Sequence, residues 1–147
     1  CCNCSVNPPW LGIRACFIGK MSRRSNKPAK PISPSSHSLI DYGFAAGNLL
    51  LPAALRLRPA LVGVFAAFGV IQGTLNALTS QPYAVSKVVP FKLHGAIEKS
   101  SAPLYLLGPL LAGAAREPKA RAYWLGLGAI LVTVYNLTDW DAKRTDR

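Results

Sequence analysis

Apolar residues dominate four segments of the chain after residue 38, and short polar stretches separate them. The segments cover residues 39–55, 59–78, 91–115 and 122–137. Each is close to the roughly 17 to 25 residues that cross about 30 Å of hydrocarbon as a helix. A buried helix of a soluble bundle would keep one polar face, whereas the stretch LVGVFAAFGVIQGTLNAL has none. The pattern therefore predicts an all-α fold, a bundle of four transmembrane helices.

The links between the segments predict how the helices pair. RLRP, residues 56–59, joins the first two segments, and REPKAR, residues 116–121, joins the last two. Links this short connect antiparallel helices as tight hairpins. We therefore predict a membrane domain over residues 37–141, preceded by a disordered basic arm, residues 1–36, and followed by a polar tail, residues 142–147.

The two predicted hairpins share a sequence pattern. A shift of 57 positions aligns His37 with His94 and Asp41 with Glu98. With one gap, the end of the second segment, LNALTS, also aligns with the end of the fourth, YNLTD. Because each half holds an even number of spans, a duplicated α-hairpin should insert twice in the same, parallel orientation. The predicted repeat halves are residues 37–80 and 94–139.

The repeated unit consists of a histidine, an acidic residue four positions later and an apolar helix that reaches a proline. Its two copies read HSLIDYGFAAGNLLLPA and HGAIEKSSAPLYLLGPL. This unit resembles the SPW-repeat type of small bacterial membrane proteins over nearly all of residues 37–140. The namesake Ser-Pro-Trp is absent, and Leu-Pro-Ala and Gly-Pro-Leu stand in its place. The resemblance implies a bacterial inner-membrane protein and implies no particular activity.

The composition agrees with lipid surroundings, since 50% of the residues are hydrophobic and 16% are charged. The net charge of +11 does not indicate a nucleic-acid partner, because the Lys and Arg residues lie in the N-terminal arm and between the apolar segments. Of those that flank the spans, nine lie in the arm, the central loop and the tail, and five lie in the two hairpin turns. The positive-inside rule therefore predicts a multi-pass protein of the bacterial plasma membrane with both termini cytoplasmic.

The first 20 residues differ from the rest of the chain. All four cysteines precede Met21, and a basic polar run follows that methionine at once. The cysteine spacing does not form two C-x-x-C pairs, so it does not favour a zinc site. We expect residues 1–20 to be upstream sequence that is not native to a working protein beginning at Met21.

A polar layer is predicted near the cytoplasmic face. It comprises His37, Asp41, Asn76, His94, Glu98, Asn136 and Asp139. The first interpretation is structural, because carboxylates favour helix N-termini and histidines hydrogen-bond between spans. The alternative is a divalent metal site or a proton relay made by the two histidines and two carboxylates. Imidazoles within about 5 Å of each other, or of the carboxylate of the opposite half, would favour a shared metal site.

Other polar and aromatic residues receive simpler interpretations. Trp140 suits an interfacial aromatic belt, and Lys99 is expected to pair with a carboxylate or to extend to the headgroups. No Ser-His-Asp order, phosphate loop, haem motif or quinone motif follows Met21.

These patterns predict a non-enzymatic protein without a cofactor. We expect a structural or partner-binding component of the lipid bilayer, acting as a homo-oligomer or with a membrane-protein partner. The alternative function is the handling of protons, ions or a divalent metal by four residues: His37, Asp41, His94 and Glu98.

Overall fold

The computed structural model describes residues 30–142, which form four α-helices and no β-strand. The helices are α1 (Pro34–Ala54), α2 (Pro59–Leu78), α3 (Phe91–Leu111) and α4 (Pro118–Leu137). The predicted all-α class with four helices is therefore confirmed. The predictions for the cysteines, for Met21 and for most of the N-terminal arm and the tail lie outside the described residues.

Proline and capping residues explain where the helices begin. Proline occupies the first turn of α1, α2 and α4, where its missing N–H removes no helical hydrogen bond. The Ser33 hydroxyl accepts a hydrogen bond from the backbone N–H of Ser36 and so caps α1 (3.2 Å). As a result α1 and α4 begin before the apolar segments at residues 39 and 122. Helix α3 ends before residue 115, because the chain turns at Gly113 with a positive φ of 89°.

The four helices form a ring in which α1 contacts α2 and α4, and α3 contacts α2 and α4. The α1–α2 contact is the closest. A Cβ atom added at Gly69 of α2 would lie 2.8 Å from the Ala45 carbonyl oxygen of α1, and one at Gly73 would lie 3.3 Å from the Ala45 Cβ. A Cβ atom at Gly128 of α4, in contrast, would be no nearer than 3.8 Å to the Tyr105 ring of α3. The α3–α4 pair is therefore packed more loosely than the α1–α2 pair.

The end of the bundle where the two hairpin turns meet is held by Arg58. Its guanidinium donates to the Gly113 carbonyl (3.1 Å) and lies 3.4 Å from the Glu117 carboxylate. Apolar side chains fill the interior next to this end, with Leu61 and Phe65 fully buried and Trp124 9% exposed. The ordinary apolar part of the core is thus confined to one half of the bundle.

Polar side chains are buried about as often as hydrophobic ones, and many large hydrophobic side chains lie on the surface. In residues 30–142, ten polar or charged side chains are buried against nine hydrophobic ones. Nineteen large hydrophobic side chains are exposed, and sixteen of these lie on the four helices. Among the described residues, one helix, Pro59–Leu78, is long and apolar enough to cross a membrane.

The close α1–α2 contact predicts an effect of substitution at Gly69. We expect Gly69→Ala to destabilise the fold by about 1 to 3 kcal/mol, because the new methyl group must push the Ala45 backbone away. Gly63→Ala in the same helix is the matched control, since an added Cβ atom there meets nothing within 4 Å. Thermal unfolding followed by circular dichroism measures both. Equal melting temperatures for the two variants would contradict the observed packing.

Candidate functional site

Four ionisable side chains meet inside the bundle, two from α1 and two from α3. His37 and Asp41 lie one helical turn apart on α1, and His94 and Glu98 lie one turn apart on α3. All four are buried, with both histidines 0% exposed. We call these four residues the central cluster. They are the alternative metal-site residues predicted from the sequence.

In the central cluster, the distances from His Nε2 atoms to carboxylate oxygens are about the same between α1 and α3 as they are within each helix. On each helix the His Nε2 lies near its own carboxylate, 3.3 Å for His37 and Asp41 and 3.4 Å for His94 and Glu98. Between helices, His94 Nε2 lies 3.2 Å from Asp41 Oδ2, and His37 Nε2 lies 3.6 Å from Glu98 Oε2. One ligand atom from each residue lies within 4.8 Å of every other. These separations meet the criterion of about 5 Å that favours one shared site.

Two threonines orient the imidazoles. The Thr79 hydroxyl donates to the Leu75 carbonyl (2.7 Å) and lies 2.7 Å from His94 Nδ1. The Thr138 hydroxyl donates to the Val134 carbonyl (2.7 Å) and lies 3.0 Å from His37 Nδ1. Because each hydroxyl hydrogen is already used on a helix carbonyl, the hydroxyl oxygen accepts a hydrogen bond from Nδ1–H. A neutral imidazole held in this way directs its Nε2 lone pair into the cluster.

Three atoms at the centre receive no hydrogen bond from the described part of the chain: Nε2 of His37, Nε2 of His94 and Oδ2 of Asp41. Glu98 differs from Asp41, because the Gln72 amide of α2 donates to its Oε1 (2.7 Å). Buried polar atoms are normally paired, and an unpaired one costs about 1 to 3 kcal/mol. With both imidazoles neutral, the centre of the cluster is a concentrated set of electron-pair donors.

Aromatic rings close the cluster at the end of the bundle where α1 and α3 begin. Trp140, which follows α4, lies 4.7 Å from the His37 ring and 4.9 Å from the Phe91 ring, between centroids. Its indole N–H donates to the Tyr135 carbonyl (3.0 Å). A Cβ atom at Gly95 would lie 2.7 Å from the Trp140 ring, so glycine is needed for this close approach. Trp140 thus excludes water from the histidines in this structure, a contact that the expected interfacial belt did not predict.

The remaining residues of the predicted polar layer lie apart from the central cluster. Asn76 is buried, donates to the Ser38 carbonyl (2.9 Å) and accepts a hydrogen bond from the Gln81 amide. Asn136 is exposed and donates to the Val132 carbonyl of its own helix (2.7 Å). Asp139 accepts a hydrogen bond from the backbone N–H two residues later (3.2 Å). These contacts stabilise helix ends and turns.

Sequence reasoning gave no role to Thr79, Thr138 or Gln72. The two threonines carried a signal, because they occupy matching positions in LNALTS and YNLTD. Gln72 carried none, since a single amide in an apolar helix is not informative by itself.

Comparison with known proteins does not assign this chain to a family. No protein-family model, curated protein or solved structure matches this chain. The SPW-repeat resemblance therefore stays a prediction.

The threonine contacts predict an effect that depends on one hydroxyl. We expect Thr138→Val to destabilise the protein by about 1 to 3 kcal/mol, because the buried Nδ1–H of His37 loses its acceptor. Thr138→Ser keeps the hydroxyl and should cost less. Thr133→Val is the matched control, since Thr133 makes the same bond to its own helix (2.8 Å) but is exposed. Thermal unfolding measures all three variants. Equal losses of melting temperature in Thr138→Val and Thr133→Val would refute the role of Thr138.

Proposed function

We propose that this protein is an integral membrane protein that binds one divalent transition-metal ion in its central cluster. The observation that carries the proposal is the convergence of two oriented Nε2 atoms and two carboxylates on one buried point. The role is metal binding within the bundle, and it requires no catalytic reaction by this chain.

The charge balance of the cluster supports a bound cation. Two carboxylates carry two negative charges, and the Nε2 lone pairs add further electron density in the same buried volume. Burying such charge without a counter-charge costs several kcal/mol for each ion. One divalent cation supplies two positive charges and gives every unpaired donor atom a ligand bond.

The spacing of the donor atoms supports a small ion. Metal bonds of about 2.0 to 2.1 Å to four tetrahedral ligands place neighbouring ligand atoms about 3.3 to 3.4 Å apart. The His94 and His37 Nε2 atoms lie 3.2 and 3.3 Å from the same Asp41 oxygen, Oδ2. They lie 3.4 and 3.6 Å from two different oxygens of Glu98, Oε1 and Oε2. One ligand atom from each residue lies within 4.8 Å of every other, so small side-chain shifts bring the four onto one ion.

The chemistry of the donors selects a class of metal. Imidazole nitrogen suits zinc, iron, copper and nickel, whereas magnesium and calcium prefer a shell of oxygen atoms. The hydrogen bonds from Nδ1–H to Thr79 and Thr138 are the outer contacts that fix a metal-binding histidine. A purely structural role would pair each histidine with its own hairpin, and the 3.2 Å separation between His94 and Asp41 supports the shared site instead.

The buried ionisable groups and the exposed hydrophobic side chains support a membrane setting for all four helices. Helices α1, α3 and α4 are less apolar on average than α2, but four of their ionisable side chains are buried in the bundle: His37, Asp41, His94 and Glu98. Leucines on the same helices are exposed, including Leu50 at 67% and Leu104 at 62%. Intramembrane ionisable groups characteristically face the bundle interior. We place the protein in the bacterial plasma membrane, with both termini and the central loop in the cytoplasm.

Matching contacts in the two halves support the duplicated hairpin. Ile32, just before α1, exchanges two backbone hydrogen bonds with the end of α4, and Val89, just before α3, exchanges two with the end of α2. These two residues are 57 positions apart, as are the two histidines. The same two helix ends supply Thr138 to His37 and Thr79 to His94. A pseudo-twofold arrangement of hairpins in one orientation accounts for all four contacts.

The metal site predicts a stoichiometry and a pattern of loss. We expect the purified protein to retain one zinc ion per chain after equilibration and desalting. His37→Gln and His94→Gln should each remove most of this binding, and the double variant should lose little more, because both rings hold the same ion. Metal content measured by mass spectrometry decides the outcome.

Two controls make the zinc measurement specific. Cys1, Cys2, Cys4 and Cys16 are replaced by serine throughout, because thiolates bind zinc themselves. Asp41→Asn should weaken zinc binding, and Asp139→Asn is its matched control, since the Asp139 carboxylate accepts a hydrogen bond within its own turn, apart from the cluster. Zinc retained in both histidine variants would refute the site.

The membrane placement predicts a topology. Reporter fusions after Lys87 and after Arg147 should both read cytoplasmic, because basic residues concentrate in the central loop and the terminal segments. A fusion after Arg116 should read periplasmic. A periplasmic reading at Lys87 would overturn the orientation without affecting the zinc measurement.

A further inference from the structure

A cavity of about 80 Å³ opens on the side of the bundle between α3 and α4. Its walls are mostly apolar and come from Ala102, Leu131, Val132 and Tyr135, with Lys99 and Asn136 among the lining residues. Glu98 of the central cluster is also among the lining residues. The volume is several times the roughly 10 to 15 Å³ of such space that one water needs, so the cavity admits a short length of alkyl chain.

The looser packing of α3 on α4 creates this cavity. Ala45 and Ala102 are 57 positions apart in the chain, as the two histidines are. Ala45 is buried against Gly69 and Gly73 of α2, whereas Ala102 borders the cavity. At the position of Ala45, helices α1 and α2 are therefore closely packed, whereas at the matching position of Ala102 a cavity separates α3 from α4.

Lys99 places a positive charge beside the cavity. It is exposed and lies eight residues after Phe91, which is about 12 Å along α3 at 1.5 Å per residue. No acidic side chain of residues 30–142 forms an ion pair with it. The expected pairing with a carboxylate of the chain is therefore not found in that range. A lysine on a membrane-spanning helix either extends to the headgroups or pairs with an anion, and such residues often mark binding sites.

We propose that the α3–α4 cavity binds a single-chain anionic amphiphile of the fatty-acid type. Its carboxylate pairs with the Lys99 ammonium, and its alkyl chain lies against Ala102, Leu131 and Val132. The charge of Lys99 selects an anion, and the apolar walls select an alkyl body of one chain. This site goes beyond metal binding and rests only on the membrane placement in the proposed function.

The test uses the full chain, free of added metal, in nanodiscs of phosphatidylcholine. Radiolabelled dodecanoate is the probe, and dodecanol of the same chain length is the uncharged comparison. We expect saturable binding of one dodecanoate per chain, with dodecanol about tenfold weaker because it lacks the charge that pairs with Lys99. If the true occupant is a two-chain phospholipid, the phosphatidylcholine of the nanodisc, which is in excess, occupies the cavity. Dodecanoate then shows no saturable binding.

Two variants with matched controls assign the site. Lys99→Gln should weaken dodecanoate binding about tenfold, whereas Lys119→Gln, at the start of α4, should not. Ala102→Phe should fill the cavity and remove binding, whereas Ala129→Phe, exposed on α4 outside the cavity, should not. Circular dichroism checks that each variant folds. If Ala102→Phe does not fold, Lys99→Gln alone decides the outcome.

Zinc binding is measured in the same variants. We expect it to persist in Lys99→Gln, so loss of amphiphile binding with zinc retained supports a separate site. Dodecanoate binding in a protein that binds no zinc would uphold the inference and refute the metal proposal. Equal binding of dodecanoate and dodecanol, or binding unchanged in Lys99→Gln, would overturn the inference.

Discussion

The structure depends on how four ionisable side chains share one buried volume near the start of α1 and α3. Two imidazoles present Nε2 atoms within 3.2 to 3.6 Å of two carboxylates. Isolated charges in a low-dielectric interior are strongly destabilising, so this arrangement requires a cation at its centre or protons on its nitrogens. Neighbouring side chains stabilise this arrangement. Thr79 and Thr138 orient the imidazole rings through hydrogen bonds, the Gln72 amide donates a hydrogen bond to Glu98, and the Trp140 ring packs against His37.

The same constraint shapes the end of the bundle that holds the central cluster. Once the interior of this end is given to hydrogen-bonded and ionisable groups, few positions remain there for an apolar core, and many leucines of α1, α3 and α4 lie on the outer surface. In the proposed membrane setting, lipid would supply apolar surroundings for these leucines. The average hydropathy of a helix does not separate its two faces, because it also counts the buried His, Asp and Glu residues of α1 and α3.

The sequence predicted the number of helices and most of their ends, because apolar length and proline positions act locally. It also predicted that His37, Asp41, His94 and Glu98 form a group, because their spacing repeats along the chain. It offered one shared centre only as the alternative to a structural role, since the distance between α1 and α3 depends on packing. The exclusion of Asn136 and the position of Trp140 over His37 were also not predictable, because both depend on how the end of α4 turns.

X-ray absorption spectroscopy of the zinc-loaded, cysteine-free protein is the decisive measurement for the metal site, because it reports the atoms bound to the ion. We expect a first shell of nitrogen and oxygen at about 2.0 to 2.1 Å, with the outer scattering of two imidazoles and no sulfur. A spectrum without imidazole scattering, or one unchanged by His94→Gln, would contradict this expectation.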